Sequence, residues 1–493
     1  MDRAATIDTI RRRLGPWDII VIGGGATGVG CALDAASRGY DVLLLEQHDL
    51  GKGTSSRSTK LIHGGVRYLR QGNIALVREA LRERGLLLKN APHVVHNLPF
   101  IIPCYSQWQK LFYGAGLKIY DALAGKYGIG RSRVIGKDEV AKHLPNVQTK
   151  GLKGGVLYYD AQFDDTRLLI DITVTARTHG AAILNYAPVT RLLLQSGRVT
   201  GVEFVDAETG DVITAMAHVV INAAGIFSDS VRQLADIKAD SVVTYSQGIH
   251  LVFDEKFLPG EAGLMIPVTD DGRVLFCIPW NGHLLVGTTD TPVSEPTLEP
   301  KAVQTEIDFV LKTARHYLSQ KPSREDVKSV FAGIRPLVKA GKAARTASLS
   351  RGHDLFVDGS GLVTITGGKW TTYRQMAEDA VNKAANVAGL DDRTCITADL
   401  PISAEALGIA ESLDSAINCS AEEVLRAVRY EMARTVEDVL ARRTRILFLD
   451  ARAAIELAQP VAQLMAKELG RDENWIVNQV KDFKKLAEGY LLP

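Results

Sequence analysis

The sequence predicts an α/β protein with an all-helical C-terminal domain. Three observations predict it. Residues 18–46 read as strand, glycine turn, helix, strand and acid. Residues 181–290 are rich in strand signals. From Ala404 onward β signals nearly vanish and helical periodicity with charged faces takes over. A chain of 493 residues makes about three domains.

The first unit is the most specific. Ile19, Ile20, Val21 and Ile22 are β-branched and apolar, as a strand covered on both faces requires. The turn Gly23-Gly24-Gly25-Ala26-Thr27-Gly28 follows. Gly23 permits the tight turn, Gly25 lets backbone approach a pyrophosphate, and Gly28 lets the next helix pack close to the sheet. That helix presents N–H groups and a positive dipole end to phosphates. Val42-Leu43-Leu44-Leu45 is the second strand, and Glu46 at its end can bind an adenosine ribose hydroxyl. The unit implies an adenine dinucleotide.

The rest of the chain follows in order. Residues 1–16 are a short helical or loose lead-in. Residues 60–89 carry apolar side chains at helical spacing and read as one long helix or two shorter ones. Residues 94–103 suit a strand, 165–179 an amphipathic helix and 181–184 a short strand. Residues 189–205 and 212–221 read as a β-meander returning to the sheet. The alternating stretch 241–290 ends at Gly287-Thr288-Thr289-Asp290. Residues 299–319 are helical, 362–365 form a buried strand, and a helix starts near Tyr373. There is no internal repeat or low-complexity segment.

Composition excludes several classes. The chain is 46% apolar and 23% charged, unlike a disordered chain or a fibre. Formal net charge is +1, so no global field favours nucleic acid. Cys31, Cys104, Cys277, Cys395 and Cys419 form no CxxC pair, which fits a reducing compartment and argues against a metal site. Arg11-Arg12-Arg13 is not followed by a signal-peptide core. No apolar run reaches membrane-spanning length, so membrane contact is expected to be peripheral.

Later motifs point the same way. Asn222-Ala223-Ala224-Gly225 ends an apolar strand with small residues. That admits a ligand at a strand's C-terminal edge, and equally suits a close-packed turn. Thr54-Ser55-Ser56-Arg57-Ser58-Thr59-Lys60 offers hydroxyls to a pyrophosphate, or is a solvated loop. Gly367-Gly368-Lys369 places a nest of N–H groups before a helix.

Together, Gly23-Gly24-Gly25, Thr54-Ser55-Ser56, the run from Lys60 through His63-Gly64-Gly65 to Arg67-Tyr68-Leu69, Asn222-Ala223-Ala224-Gly225, Gly333-Ile334-Arg335-Pro336-Leu337 and Gly367-Gly368-Lys369-Trp370-Thr371-Thr372-Tyr373-Arg374 resemble one family. It is that of the FAD-dependent glycerol-3-phosphate dehydrogenases, within the D-amino-acid-oxidase-like flavoproteins. The likeness runs from residue 17 to about 385 and continues into the helical domain. The chain shows no paired EF-hand calcium loops, which sets it apart from the mitochondrial branch.

The resemblance implies a fold and a reaction. A Rossmann-like FAD-binding domain (17–90, 161–240 and 346–390) is interleaved with an α+β substrate-binding domain built on an antiparallel sheet (91–160 and 241–345). The helical domain spans 396–493. The reaction is oxidation of sn-glycerol 3-phosphate to dihydroxyacetone phosphate, with hydride passing from C2 to flavin N5 and electrons going to a membrane quinone. FAD would contact Gly23, Gly24, Gly25, Thr27, Gly28, Glu46 and Gln47, then Thr54, Ser55, Ser56, Lys60, Leu61, His63, Gly64 and Gly65. Val189, Ala223, Ala224, Gly225, Gly333, Gly368, Lys369, Trp370 and Thr371 complete that set. Arg67, Tyr68, Arg335, Arg351 and Lys369 would hold the substrate, since guanidinium groups bind phosphate bidentately. His250 is the candidate base, because histidine titrates in the right range, and a satisfied core histidine is its other reading. Lys369 is the next base, and Arg335 supplies electrostatics because it keeps its proton.

Residues 108–120 mix aromatics, aliphatics and lysines. That suits a helix lying on a lipid surface, here the inner face of the cell membrane of a cytoplasmic protein. It equally suits an amphipathic helix with a buried face. A homodimer is one assembly left open. An oxidase releasing peroxide is the alternative of the same fold, and a non-catalytic flavin-binding interaction protein is the alternative of another class.

Overall fold

The structure is a computed structural model that describes residues 3–70, 72–270, 272–339, 352–402 and 419–492, without the side chains of residues 67 and 70. Two sheets organise it. The first runs His353–Val357, Val363–Gly367, Val212–Asn222, Trp17–Ile22, Val42–Leu45, Ala182–Leu184. All neighbours pair parallel except the first two. Ile19, Val21, Val42 and Leu44 face the helices Ala26–Ser37, Asp165–Thr178 and Tyr373–Ala388. Ile20, Ile22, Leu43 and Leu45 face the meander Val189–Gln195 and Arg198–Val205 and the helix Arg3–Arg12. Successive side chains point to opposite faces, and both faces are covered, so the strand must be apolar throughout.

The second sheet runs Thr291–Val293, Val243–Asp254, His283–Gly287, Leu275–Trp280, Gly263–Ile266, Val95–Cys104, Gly154–Phe163, Leu61–Ile62, with Ser329–Val338 paired beside Val243–Asp254. It is antiparallel apart from the pairing of Gly263–Ile266 with Val95–Cys104. The helix Gln304–Tyr317 covers one face. Residues of the other face join a core with the C-terminal helices Ala421–Tyr430, Ala451–Leu469 and Glu473–Ala487.

Two expectations change. Residues 60–89 are not helical throughout: Leu61–Ile62 adds an edge strand, and helices span Val66–Arg70 and Ile74–Asn90. Asn73 divides the two helices, its side chain capping the N–H of Leu76. The helix Gln107–Ala124 has two apolar faces. Leu117, Tyr120 and Ala124 are buried, while Trp108 is 72% exposed, Leu111 68% and Phe112 47%. Leu117 therefore belongs to the core and not to the outward face, because spacing of three and four groups it with Tyr120 and Ala124.

Ion pairs tie residues 434–443, between the C-terminal helices, to segments around the first sheet. Arg442 and Arg443 both bind Asp49, Lys52 pairs with Glu437 at 2.8 Å, and Arg434 binds Glu208 through two hydrogen bonds.

Candidate functional site

A cavity of about 690 Å³ opens between the two sheets. It lies within the roughly 300–1,000 Å³ typical of small-molecule sites. One end is the glycine turn. Gly23 has φ +112°, and a Cβ on Gly28 would stand 1.8 Å from the Gly23 carbonyl oxygen, so strand and helix meet only because both are glycine. Gly24 N–H donates to Glu46 Oε2 at 2.6 Å and His48 N–H to Oε1 at 2.8 Å. The carboxylate is thereby set at the strand end. Burial raises its pKa, and the two N–H groups oppose that shift. Ala26 N–H donates to Ser55 Oγ at 2.9 Å, and Trp370 Nε1–H to Ser55 O at 2.8 Å, so three distant segments close around one rim. Gly225, Gly367 and Gly368 all have positive φ, which L side chains rarely adopt, and all three line the cavity. A cavity with a glycine cradle, a ribose-type acid and glycine-lined walls fits an adenine dinucleotide.

The other end is built by two adjacent strands. Val243–Asp254 pairs with Ser329–Val338 in the register Ser246 to Arg335, Gly248 to Gly333, His250 to Phe331. Alternation puts Gly248 and His250 on the same face as Phe331, Gly333 and Arg335. His250 stacks on Phe331 with ring centroids 4.9 Å apart, and its Nε2 is 3.0 Å from Thr59 Oγ1. Gly287 leaves room for the imidazole, since a Cβ there would come within 2.3 Å of His250 Cδ2. Gly248 does the same for the Arg335 guanidinium. Burial, with the charges of Lys60 and Arg335, holds His250 well below its usual pKa, so the ring is neutral at pH 7. Arg335 is fixed by Thr288 Oγ1 at 3.1 Å and Thr289 O at 3.2 Å, with Asp290 at 3.7 Å. Lys369 Nζ lies 4.2 Å from the centre of the Tyr68 ring, within cation–π range.

Most of the expected residues line this one cavity. Gly23, Gly25, Thr27, Glu46 and Gln47 do so from the nucleotide unit. Thr54, Ser55, Leu61, His63, Gly65 and Tyr68 follow from the next segment. Val189, Ala223, Ala224, Gly225, His250, Gly333, Arg335, Gly368, Lys369, Trp370 and Thr371 complete the wall. Five expected cofactor contacts stand behind it. Gly24 and Gly28 shape the turn, as described. Ser56 is buried under the loop. Gly64 gives its N–H to the buried Asp160, and a Cβ there would strike Leu81 and Tyr120. Lys60 is corrected most strongly: it has no exposure, and its ammonium pairs with Asp165 at 2.6 Å. Arg351 and the side chain of Arg67 lie outside the described residues.

Sequence reasoning missed Thr59 as the partner of His250, and Thr288, Thr289 and Asp290 as the cradle of Arg335. The hydroxyl-rich run and the Gly-Thr-Thr-Asp strand end were visible signals, but the pairings span 191 and 47 residues. It also missed Arg273, which lines the cavity while its guanidinium lies over Phe309.

Residues 18–374 match the FAD dependent oxidoreductase family, and residues 366–475 match the C-terminal domain of alpha-glycerophosphate oxidase. The mitochondrial glycerol-3-phosphate dehydrogenase of Macaca fascicularis is 39% identical over 95% of this chain and 73% of its own length. That of Arabidopsis thaliana is 36% identical over 98% of this chain and 91% of its own. The mitochondrial enzymes, which the sequence reading had disfavoured, are thus relatives over nearly the whole chain. The crystal structure of the glycerol-3-phosphate dehydrogenase from Bacillus halodurans complexed with FAD superposes with a TM-score of 0.80 at 27% identity, covering 100% of this chain and 98% of that one. With the dinucleotide cradle, the cation-lined cavity and these relatives all along one chain, the protein belongs to the family of FAD-dependent glycerol-3-phosphate dehydrogenases.

Proposed function

We propose that the protein oxidises sn-glycerol 3-phosphate to dihydroxyacetone phosphate and passes the electrons to a membrane quinone. The observation that carries this is the cavity itself: a neutral His250, a braced Arg335 and Lys369 face the same space as the dinucleotide cradle. Gly23, Gly25, Glu46, Ser55 and Gly368 would hold FAD. When bound, FAD supplies the two-electron acceptor for the C2–H bond. With Nε2–H donating to Thr59 Oγ1, His250 takes the C2 hydroxyl proton at Nδ1, the ring nitrogen that keeps a free lone pair. Arg335 and Lys369 supply positive charge for the phosphate dianion. The ion-paired, hydrogen-bonded setting of Arg335 keeps its fork oriented, which reduces the entropy lost on binding.

The test is an anaerobic absorption spectrum of the purified protein before and after adding sn-glycerol 3-phosphate. The flavin bands should bleach with this substrate and not with glycerol or amino acids. A yellow protein that does not bleach overturns the substrate assignment. The match of residues 366–475 to an oxidase domain favours one second reading, in which oxygen takes the electrons. Stoichiometric peroxide from the aerobic purified enzyme would decide for it.

Quinone as acceptor and peripheral attachment to the inner face of the cell membrane rest on the helix Gln107–Ala124. Trp108, Leu111, Phe112 and Ile119 are exposed along it, with Lys110 and Lys118 beside them. Aromatics at headgroup depth with lysines towards lipid phosphates form an interfacial helix. Among the described residues no helix is long and apolar enough to cross a membrane. Replacing Trp108, Leu111 and Phe112 together by serine should lower binding to anionic lipid vesicles by about tenfold or more, with activity towards a soluble dye retained. Unchanged vesicle binding would remove this helix from the proposal.

A further inference from the structure

We infer that the C-terminal helical segment is a positioning element of the oxidation site, acting from Arg445 through Asp165 and the turn 56–60 onto Thr59, whose hydroxyl holds Nε2 of His250. The inference rests on the role proposed for His250.

Arg445 has φ +66° just before the short helix Ile446–Leu449, and its side chain is buried. One end of its guanidinium donates to Thr166 Oγ1 at 2.8 Å. The other donates to Ser56 O at 2.9 Å and Asp165 Oδ1 at 3.0 Å. The second oxygen of Asp165 accepts from Lys60 Nζ at 2.6 Å, Ser58 Oγ at 2.7 Å and Ser58 N at 3.1 Å. Lys60 Nζ also donates to Ser56 O at 2.8 Å. Ser56, Ser58 and Lys60 are thus each tied to one carboxylate or to the cations that bind it. Thr59 sits between two tied neighbours and aims its hydroxyl at the imidazole.

A second, independent contact leads from the same segment to the same ring. Phe448 packs edge-on against Phe331 at 4.8 Å, and Phe331 stacks on His250. Arg445 lies over Phe448 at 4.4 Å. His250 is therefore held from its Nε2 edge and from its face by groups anchored in residues 445–448. Burial and the Arg445 charge push Lys60 down to about 7, against the pull of Asp165. Asp165 itself is held below the usual carboxylate range by Lys60 and Arg445 despite its burial. Such a charge cluster has one low-energy arrangement, which makes it a rigid anchor.

The experiment uses the full-length FAD-loaded protein with sn-glycerol 3-phosphate. Thr59→Val should lower kcat by about tenfold or more with FAD retained, since small misplacements at a reacting centre are costly. KM should stay within about twofold, because the contact is not one of substrate binding. Thr59→Ser should restore most of the rate. Arg445→Lys, which keeps the charge and loses the fork, should lower kcat in the same way. The double variant should be no slower than Thr59→Val alone, because both act through one contact. Where Arg445→Lys does not fold, Ser58→Ala replaces it, removing the hydroxyl bond to Asp165 and leaving the ion pairs. A wild-type rate in Thr59→Val, no rescue by serine, or multiplying losses in the double variant would overturn the inference. A wild-type protein that sn-glycerol 3-phosphate never reduces would overturn the proposed function instead.

Discussion

Replacing His250 by asparagine is expected to lower kcat for sn-glycerol 3-phosphate by about 10²- to 10⁴-fold, the usual worth of a positioned general base. FAD absorbance and melting temperature should change little. Asparagine keeps a polar partner for Thr59, and the ring it removes is neutral, so no buried charge is left unpaired. The pH profile gives a second reading. The imidazole is held well below its usual pKa, so the base is present throughout neutral pH. Activity should fall only as the solution drops through that lowered value, well under 6.5. In the asparagine variant this acid limb should vanish along with most of the rate. A loss under about fivefold is too small for a general base and would move that role to Lys369, on the Tyr68 side of the cavity.

Replacing Asp49 should damage the fold rather than the chemistry. Its carboxylate is fully buried and accepts from Arg442 Nε at 2.5 Å and from Arg443 NH1 and NH2, each at 2.8 Å. Asp49→Asn removes the carboxylate that Arg442 and Arg443 share, leaving Arg442 with Glu437 and Asp438 and Arg443 with Glu431. The expected loss is about 1–3 kcal/mol, as for buried donors that lose one of their partners, read as a lower denaturation midpoint. Burial alone would raise the pKa of Asp49, but Arg443 and Arg442 bring it down to about 2. A depressed carboxylate contributes stability that is present above its unfolded pKa and lost as pH falls through the folded one. Wild-type stability should therefore decline from the model-compound value of 3.8 down to about 2, and the asparagine variant should lose that part of the decline. An Asp49→Asn protein as stable as wild type at pH 7 would mean that Glu431, Glu437 and Asp438 suffice as counter-charges. FAD affinity should fall too, because Asp49 stands three residues after Glu46, and Glu46 and Gln47 line the cavity.

These two residues show where reading along the chain ends. The dinucleotide unit was legible because its constraints are local: Gly23, Gly28 and Glu46 lie within one strand–helix–strand run, and each answers a backbone or helix-packing demand. The apolar strands and the charged-face helices after residue 420 were legible for the same reason, as periodicity is a property of neighbours. Of the cavity wall, sequence alone determined the segments that carry it. Which side chains face in was decided by tertiary structure. The register of two strands brings Arg335 beside Ser246 and His250 beside Phe331. Lys60 stands among the FAD contacts that the resemblance implies, yet its ion pair with Asp165 holds it in the core. Leu117 reads as part of an interfacial stripe, yet it packs inward. Asp49 carries no motif at all, and its partners lie 393 and 394 residues away. Charge pairing and strand register are long-range: they depend on which distant groups share a dry space, and desolvation makes that choice only once the chain has folded.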